Sequence, residues 1–158
     1  MLVDRVLIAD PDQQLRQRYS EFLTRDGFQV ATAASGLECA DQLRQFRPDV
    51  LVLEPAIPWG QGDGVLALMH EETDLPLASV IVLTAGGDLD ALLRVLEFPI
   101  DDFERKPLKP SQLARKIHRL LDTKPSAGEL HSPRDDRRHP TRDDPAQDGP
   151  TLTNFYQR

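Results

Sequence analysis

An α/β fold, with a doubly wound five-stranded parallel sheet flanked by five helices, is predicted by three observations. Short apolar runs alternate with amphipathic segments between residues 5 and 121, the pattern of βαβ units packed on both faces of a sheet. The run Asp49 to Leu53 is apolar at each position after its first, as a strand buried on both faces must be. That run ends in a single carboxylate, Glu54, and is broken by Pro55 and Pro58. Open α/β sheets bind ligands at the carboxyl ends of their strands, so Glu54 is aimed into a crevice.

The elements follow in order. Arg5 to Ala9 reads as the first strand. Asp12 is placed to cap a helix that carries Leu15, Tyr19, Phe22 and Leu23 at helical spacing until Gly27. Phe28 to Ala31 is a second, weaker strand. Ser35-Gly36-Leu37-Glu38 has the spacing of a capping box and opens a helix expected to bury Leu37, Ala40, Leu43 and Phe46 before Pro48 ends it. After the third strand, Trp59 to Gly64 is glycine-rich and reads as a flexible loop into a short helix through Leu66, Leu68 and Met69. Ser79 to Leu83 is the fourth strand, Leu89 to Phe98 the fourth helix, and Ile100 to Glu104 a short fifth strand. Pro110 begins the last helix, with Leu113, Ile117, Leu120 and Leu121 on one stripe.

The character changes after Asp122. Residues 123–158 contain five prolines and mixed charge runs such as Arg134 to Arg138, with few apolar residues before Leu152, Phe155 and Tyr156. This composition buries too little apolar surface to offset the entropy of ordering, so a disordered tail is expected there. The domain is placed at residues 1–122.

Composition narrows the function classes. Of the 158 residues, 39% are hydrophobic and 28% charged, ordinary for a globular domain. The apolar runs are too short to span a bilayer and the N-terminus lacks a signal-peptide layout, so a cytoplasmic setting is expected. A formal net charge of -7 argues against a general nucleic-acid binder, which needs a basic stripe to neutralise phosphates. The single cysteine, Cys39, has no partner for a disulfide and is expected to pack within a helix interface. His70, His118, His131 and His139 are scattered and suggest no catalytic or metal cluster. The spacing of Gly60, Gly62 and Gly64 matches no phosphate loop.

Five features at strand ends carry a resemblance that covers residues 4–121. They are Leu7-Ile8-Ala9-Asp10-Pro11-Asp12, Glu54, Thr84-Ala85, Phe103 and Lys106-Pro107. Together they resemble the response-regulator receiver domain, of CheY-like type. The resemblance implies a flavodoxin-like sheet in the order 2-1-3-4-5. It also implies an acidic pocket after the first strand that helps to hold magnesium, and a phosphoacceptor aspartate at the position of Glu54. Thr84 falls where a hydroxyl turns inward to a phosphoryl oxygen, Phe103 where an aromatic ring changes rotamer with it, and Lys106 where an ammonium pairs with the modified acid.

Two departures from that pattern matter. The second acid of the pocket falls on Pro11, which offers no side-chain oxygen; Asp10 matches the first, and Asp12 is expected to cap the first helix. Magnesium is therefore expected to be weakened, with Asp10 and Glu54 as weak ligand candidates and no other cofactor implied. Glu54 is one methylene longer than aspartate, about 1.5 Å, and misplacement by about 1 Å can slow a transfer step by about 10²-fold. An ion pair between Glu54 and Lys106 is expected, either standing in for the phosphorylated state or filling a vestigial pocket. Thr84 is either held inward by Glu54 or caps its strand; Phe103 is expected to pack inward, and Trp59 to rest on the third helix or serve as a partner anchor.

The leading expectation is an atypical receiver, not an enzyme, that acts in a two-component phosphorelay as a protein-interaction module. Its partner, another signalling protein or a second copy, would meet the face of the fourth helix, fifth strand and fifth helix, including Leu92, Leu96, Phe103 and Ile117. A receiver phosphorylated at an unconventional acid is the alternative. A flavin-binding flavodoxin-like protein is a distant third, because Pro11-Asp12-Gln13-Gln14 makes a poor phosphate cradle.

Overall fold

The computed structural model describes residues 2–124. Five strands and five helices alternate without exception: β1 (Arg5–Ala9), α1 (Gln13–Arg25), β2 (Gln29–Ala33), α2 (Gly36–Gln45), β3 (Val50–Leu53), α3 (Gln61–Glu71), β4 (Ser79–Thr84), α4 (Leu89–Val95), β5 (Asp102–Arg105) and α5 (Pro110–Thr123). The strands form one parallel sheet in the order β2-β1-β3-β4-β5, the flavodoxin-like arrangement expected.

Alternation along the central strands divides the core into two layers. Val6, Ile8, Val50, Val52, Ile81 and Leu83 face one side, where α1 and α5 cover them with Leu15, Tyr19, Leu23, Leu113 and Ile117. Leu7, Ala9, Leu51, Leu53, Val80 and Val82 face the other, against Cys39, Leu43, Val65, Leu66 and Val95 from α2, α3 and α4. Each large aliphatic side chain so buried contributes about 1.5–3 kcal/mol. Burial pushes the Cys39 thiol pKa up to about 12, which makes it a packing residue, as its isolation in the sequence suggests.

Local chemistry accounts for the helix starts. Asp12 caps α1 by accepting from the N–H groups of Gln14 and Leu15 at 3.0 and 3.2 Å, the capping role expected of it. Ser35 Oγ accepts from Glu38 N at 3.1 Å. The second half of the capping box differs: Glu38 accepts from Ala34 N rather than Ser35 N.

Several expectations need correction. The glycine-rich stretch after Trp59 is already helical from Gln61; within it, Gly62 lies against Pro55 and Val95 where a side chain would clash. Helix α4 stops at Val95, three residues early. Phe22 is 37% and Leu37 64% exposed: each sits at the margin of its helix's apolar stripe, beyond the reach of the sheet. Trp59 does not rest on α3 but stands 75% exposed. Ile117 is fully buried under the α1–α5 layer and so leaves the predicted docking face. The expectations for residues 125–158, including Leu152, Phe155, Tyr156, His131 and His139, lie outside the described residues. Among the described residues no helix is long and apolar enough to cross a membrane.

Candidate functional site

The carboxyl ends of β1, β3, β4 and β5 meet at one edge of the sheet, and each delivers a polar group there. Asp10 follows β1, Glu54 follows β3, Thr84 ends β4 and Lys106 follows β5. Parallel pairing makes this convergence unavoidable, since every strand ends on the same side. Asp10, Glu54 and Thr84 are 2%, 6% and 2% exposed, among the few buried polar residues of the described chain.

Lys106 occupies the centre. Its Nζ lies 2.6 Å from Asp10 Oδ2 and 3.0 Å from Glu54 Oε2. Burial works against the ammonium form, but hydrogen bonds and charge from Asp10 and Glu54 outweigh it, and Lys106 titrates above its ordinary value. The expected pair with Glu54 is present. The second pair, with Asp10, has no signal in sequence spacing, because it depends on how far the lysine stem reaches across β3.

The remaining oxygens of both carboxylates are also engaged. Asp10 Oδ1 accepts from Asp12 N at 2.8 Å. Glu54 Oε2 also accepts from Ala85 N at 3.2 Å, while Thr84 Oγ1 is oriented toward Glu54 Oε1 at a longer 3.4 Å. Thr84 Oγ1 in turn accepts from Gly86 N at 3.0 Å. Thr84 Oγ1 thus makes the contacts of both readings, the longer one to Glu54 and the shorter one from the Gly86 N–H. Arg16, which sequence reasoning passed over, donates from Nη1 to the Asp10 carbonyl at 2.7 Å. It sits one turn after the Asp12 cap, and that position is its only sequence signal. Nearby, Tyr19 donates its hydroxyl to Leu108 O at 2.6 Å and so ties α1 to the segment after Lys106; burial raises its pKa, more than Lys106 and Arg18 lower it.

Phe103 departs from expectation. It is 38% exposed rather than packed inward. On the edge strand β5, Asp102 and Glu104 point toward α5, where both pair with Lys116 at 2.9 and 2.8 Å. Alternation then turns Phe103 to the opposite side, where it lines up with Val82 of β4 and no further strand shields it.

Residues 6–118 match the family model of the response regulator receiver domain. The chain belongs to this family. It is 33% identical over 118 residues to the probable transcriptional regulator ycf27 of Guillardia theta, covering 75% of this chain and 45% of that protein. It is 28% identical over 117 residues to the DNA-binding response regulator MtrA of Mycobacterium leprae (strain TN), covering 74% and 51%. The chain thus spans about half the length of the curated relatives it matches. Among solved structures, the receiver domain of a signal transduction histidine kinase from Syntrophus aciditrophicus has a TM-score of 0.70 at 26% identity, with 83% and 99% coverage. A CheY-like receiver from Methanospirillum hungatei JF-1 has a TM-score of 0.69 at 24% identity, with 77% and 95% coverage.

The magnesium that receivers imply can be tested against the donors of this site. Magnesium demands near-octahedral oxygen coordination at about 2.0–2.1 Å. Here residue 11 is proline, Asp10 is held by Lys106 and the Asp12 amide, and Glu54 is held by Lys106, Ala85 N and Thr84. The cation that Asp10 and Glu54 share is an ammonium from the protein itself, one positive charge against two negative. With proline at residue 11, Asp10 and Glu54 are the acids at this rim left to meet such an ion, and both pair with Lys106.

Proposed function

We propose that this receiver is a pseudo-receiver: a signalling protein-interaction module of a two-component pathway that works without the usual phosphorylation cycle. The observation that carries the reading is the position of Lys106 Nζ, within 3.0 Å of both Asp10 and Glu54. The Glu54 carboxylate takes the Ala85 N–H, the Thr84 hydroxyl and the Lys106 ammonium together. Those are the donors that a phosphoryl group on a shorter acid would need. The glutamate stands in that place as a fixed anion, and its extra methylene takes the carboxylate off the in-line position that transfer chemistry requires.

Output then rests on binding. Leu96 and Phe103 are 46% and 38% exposed and Leu92 is partly buried, so the face of α4, β5 and α5 offers these three side chains to a partner. The partner is another signalling protein or a second copy of this chain, met in the cytoplasm; nothing in the reading requires a membrane. Relatives such as MtrA are DNA-binding response regulators by name, and residues 1–124 correspond to the receiver part alone. No catalytic turnover is assigned to them.

The test restores the missing chemistry. Pro11→Asp combined with Glu54→Asp should create magnesium-dependent phosphorylation from acetyl phosphate, read by intact mass, where the wild-type chain takes none. Equal phosphorylation of both proteins would favour the alternative, a receiver that uses an unconventional acid.

A further inference from the structure

Residues 105–119 carry six lysines and arginines and no aspartate or glutamate, in a chain whose formal net charge is -7. They form the end of β5, the turn after it and most of α5. Two of the six cations are committed within the chain. Lys106 pairs with Asp10 and Glu54, and Lys116 with Asp102 and Glu104 at 2.9 and 2.8 Å. The other four, Arg105, Lys109, Arg115 and Arg119, are exposed, and among the described residues none of them pairs with a carboxylate.

Arg115 and Arg119 stand one turn apart on α5 and, with Pro107, Leu108, Gln112 and Lys116, line an open groove of about 330 Å³ beside β5. Glu104 is the one acid in its wall, and Lys116 holds it. When Asp102, the second partner of Lys116, is counted with Glu104, the three cations of the groove still exceed the two carboxylates, and the two arginines are the ones left over. Asp122, the next acid along α5, lies beyond Arg119 and pairs with neither arginine. A guanidinium presents a fixed fork of donors that matches a carboxylate, and a groove of one charge sign selects its partner by complementarity.

We propose that this groove takes an acidic segment of a partner protein. Its Asp and Glu side chains meet Arg115 and Arg119, and an apolar side chain beside them rests on Pro107 and Leu108. The inference rests on the reading of the α4, β5 and α5 face as the output surface, and it names the chemistry of what the α5 flank of that face binds. Extended polyanions and anionic membranes are disfavoured. Residues 1–124 hold 14 lysines and arginines against 20 aspartates and glutamates, so a ligand that spreads beyond the groove meets charge of its own sign.

Calorimetry on the full chain tests the groove. The titrant is a synthetic amphipathic peptide with leucines at i, i+3, i+4 and i+7 and glutamates elsewhere, compared with a counterpart in which lysines replace the glutamates. The glutamate peptide should give saturable heat that weakens as salt rises, and the lysine peptide should give none. Arg115→Gln combined with Arg119→Gln, verified as folded by circular dichroism, should weaken the glutamate peptide roughly tenfold, the loss expected from two exposed charge pairs. Arg44→Gln, on α2 across the sheet, should leave it unchanged. The proposal is overturned by the absence of saturable heat, by equal affinity in wild type and the double variant, or by an equal loss in Arg44→Gln. It is also overturned if the double variant loses binding to duplex DNA or phosphatidylglycerol vesicles instead, or loses a dimer seen in sedimentation. The two failures are separable: phosphorylation of the wild-type chain would end the reading of Glu54, whereas these titrations fail only if the groove is idle.

Discussion

Lys106 shares its single positive charge between two buried carboxylates, and removing it leaves both without a counter-charge. Breaking a buried pair by deleting one partner costs about 3–5 kcal/mol, and the 18% exposure of the Lys106 side chain puts Lys106→Met at the lower end. Glu54→Gln should cost only about 1.5 kcal/mol, because Lys106 keeps Asp10 at 2.6 Å. Urea denaturation of both variants checks the ranking; equal losses would mean that Asp10 does not hold the lysine. The pH dependence has a definite sign. The folded pKa of Lys106 lies above its ordinary value, so its contribution is complete below about pH 10.4. It is lost as pH rises through the folded pKa. The stability gap between wild type and Lys106→Met should be level from neutral pH to about 10 and narrow above it. A gap that widens there would contradict the assignment.

Among the elements, the most constrained junction is that between α2 and the segment leading into α3. Trp59 and Gln61 hold left-handed backbones, each at a cost of about 1–3 kcal/mol, and Gly36 is the residue whose missing side chain lets the Trp59 carbonyl approach. Gly36→Ala should therefore destabilise by about 1–3 kcal/mol and shift Trp59 emission, whereas Gly64→Ala, which meets open space, should be neutral or stabilising. Thermal unfolding followed by fluorescence distinguishes them. The same junction marks a limit of sequence reading. Strands β1 and β4 were legible because uninterrupted apolar runs can only be buried on both faces; the glycines near Gln61 suggested a loop because composition does not reveal that Gly62 makes room for Pro55 and Val95. Leu37 and Phe22 looked like core residues because helical spacing locates a stripe but not its edges.

At the scale of the molecule, the parallel alternation of strands and helices decides that Asp10, Glu54, Thr84 and Lys106 share one rim, and this was readable from their places at strand ends. What sequence could not supply was direction across the sheet's outer edge. Phe103 and Ile117 were both assigned to a surface for partners, yet β5 turns Phe103 outward while α5 turns Ile117 into the core. The distinction arises from which side of the last strand carries a covering helix, a property of packing rather than of local pattern. Their opposite placement predicts opposite outcomes: Ile117→Ala should cost about 2–5 kcal/mol as a core truncation, and an exposed substitution such as Leu96→Ser should stay within about 1 kcal/mol while weakening any partner bound to that face.

In the pocket at this rim one lysine answers two buried carboxylates, and residue 11 supplies no further acid. The most direct test of this arrangement is the intact mass of the wild-type chain after incubation with acetyl phosphate and millimolar magnesium. An unmodified mass is the predicted result; a phosphorylated species that requires magnesium and disappears in Glu54→Ala would contradict it.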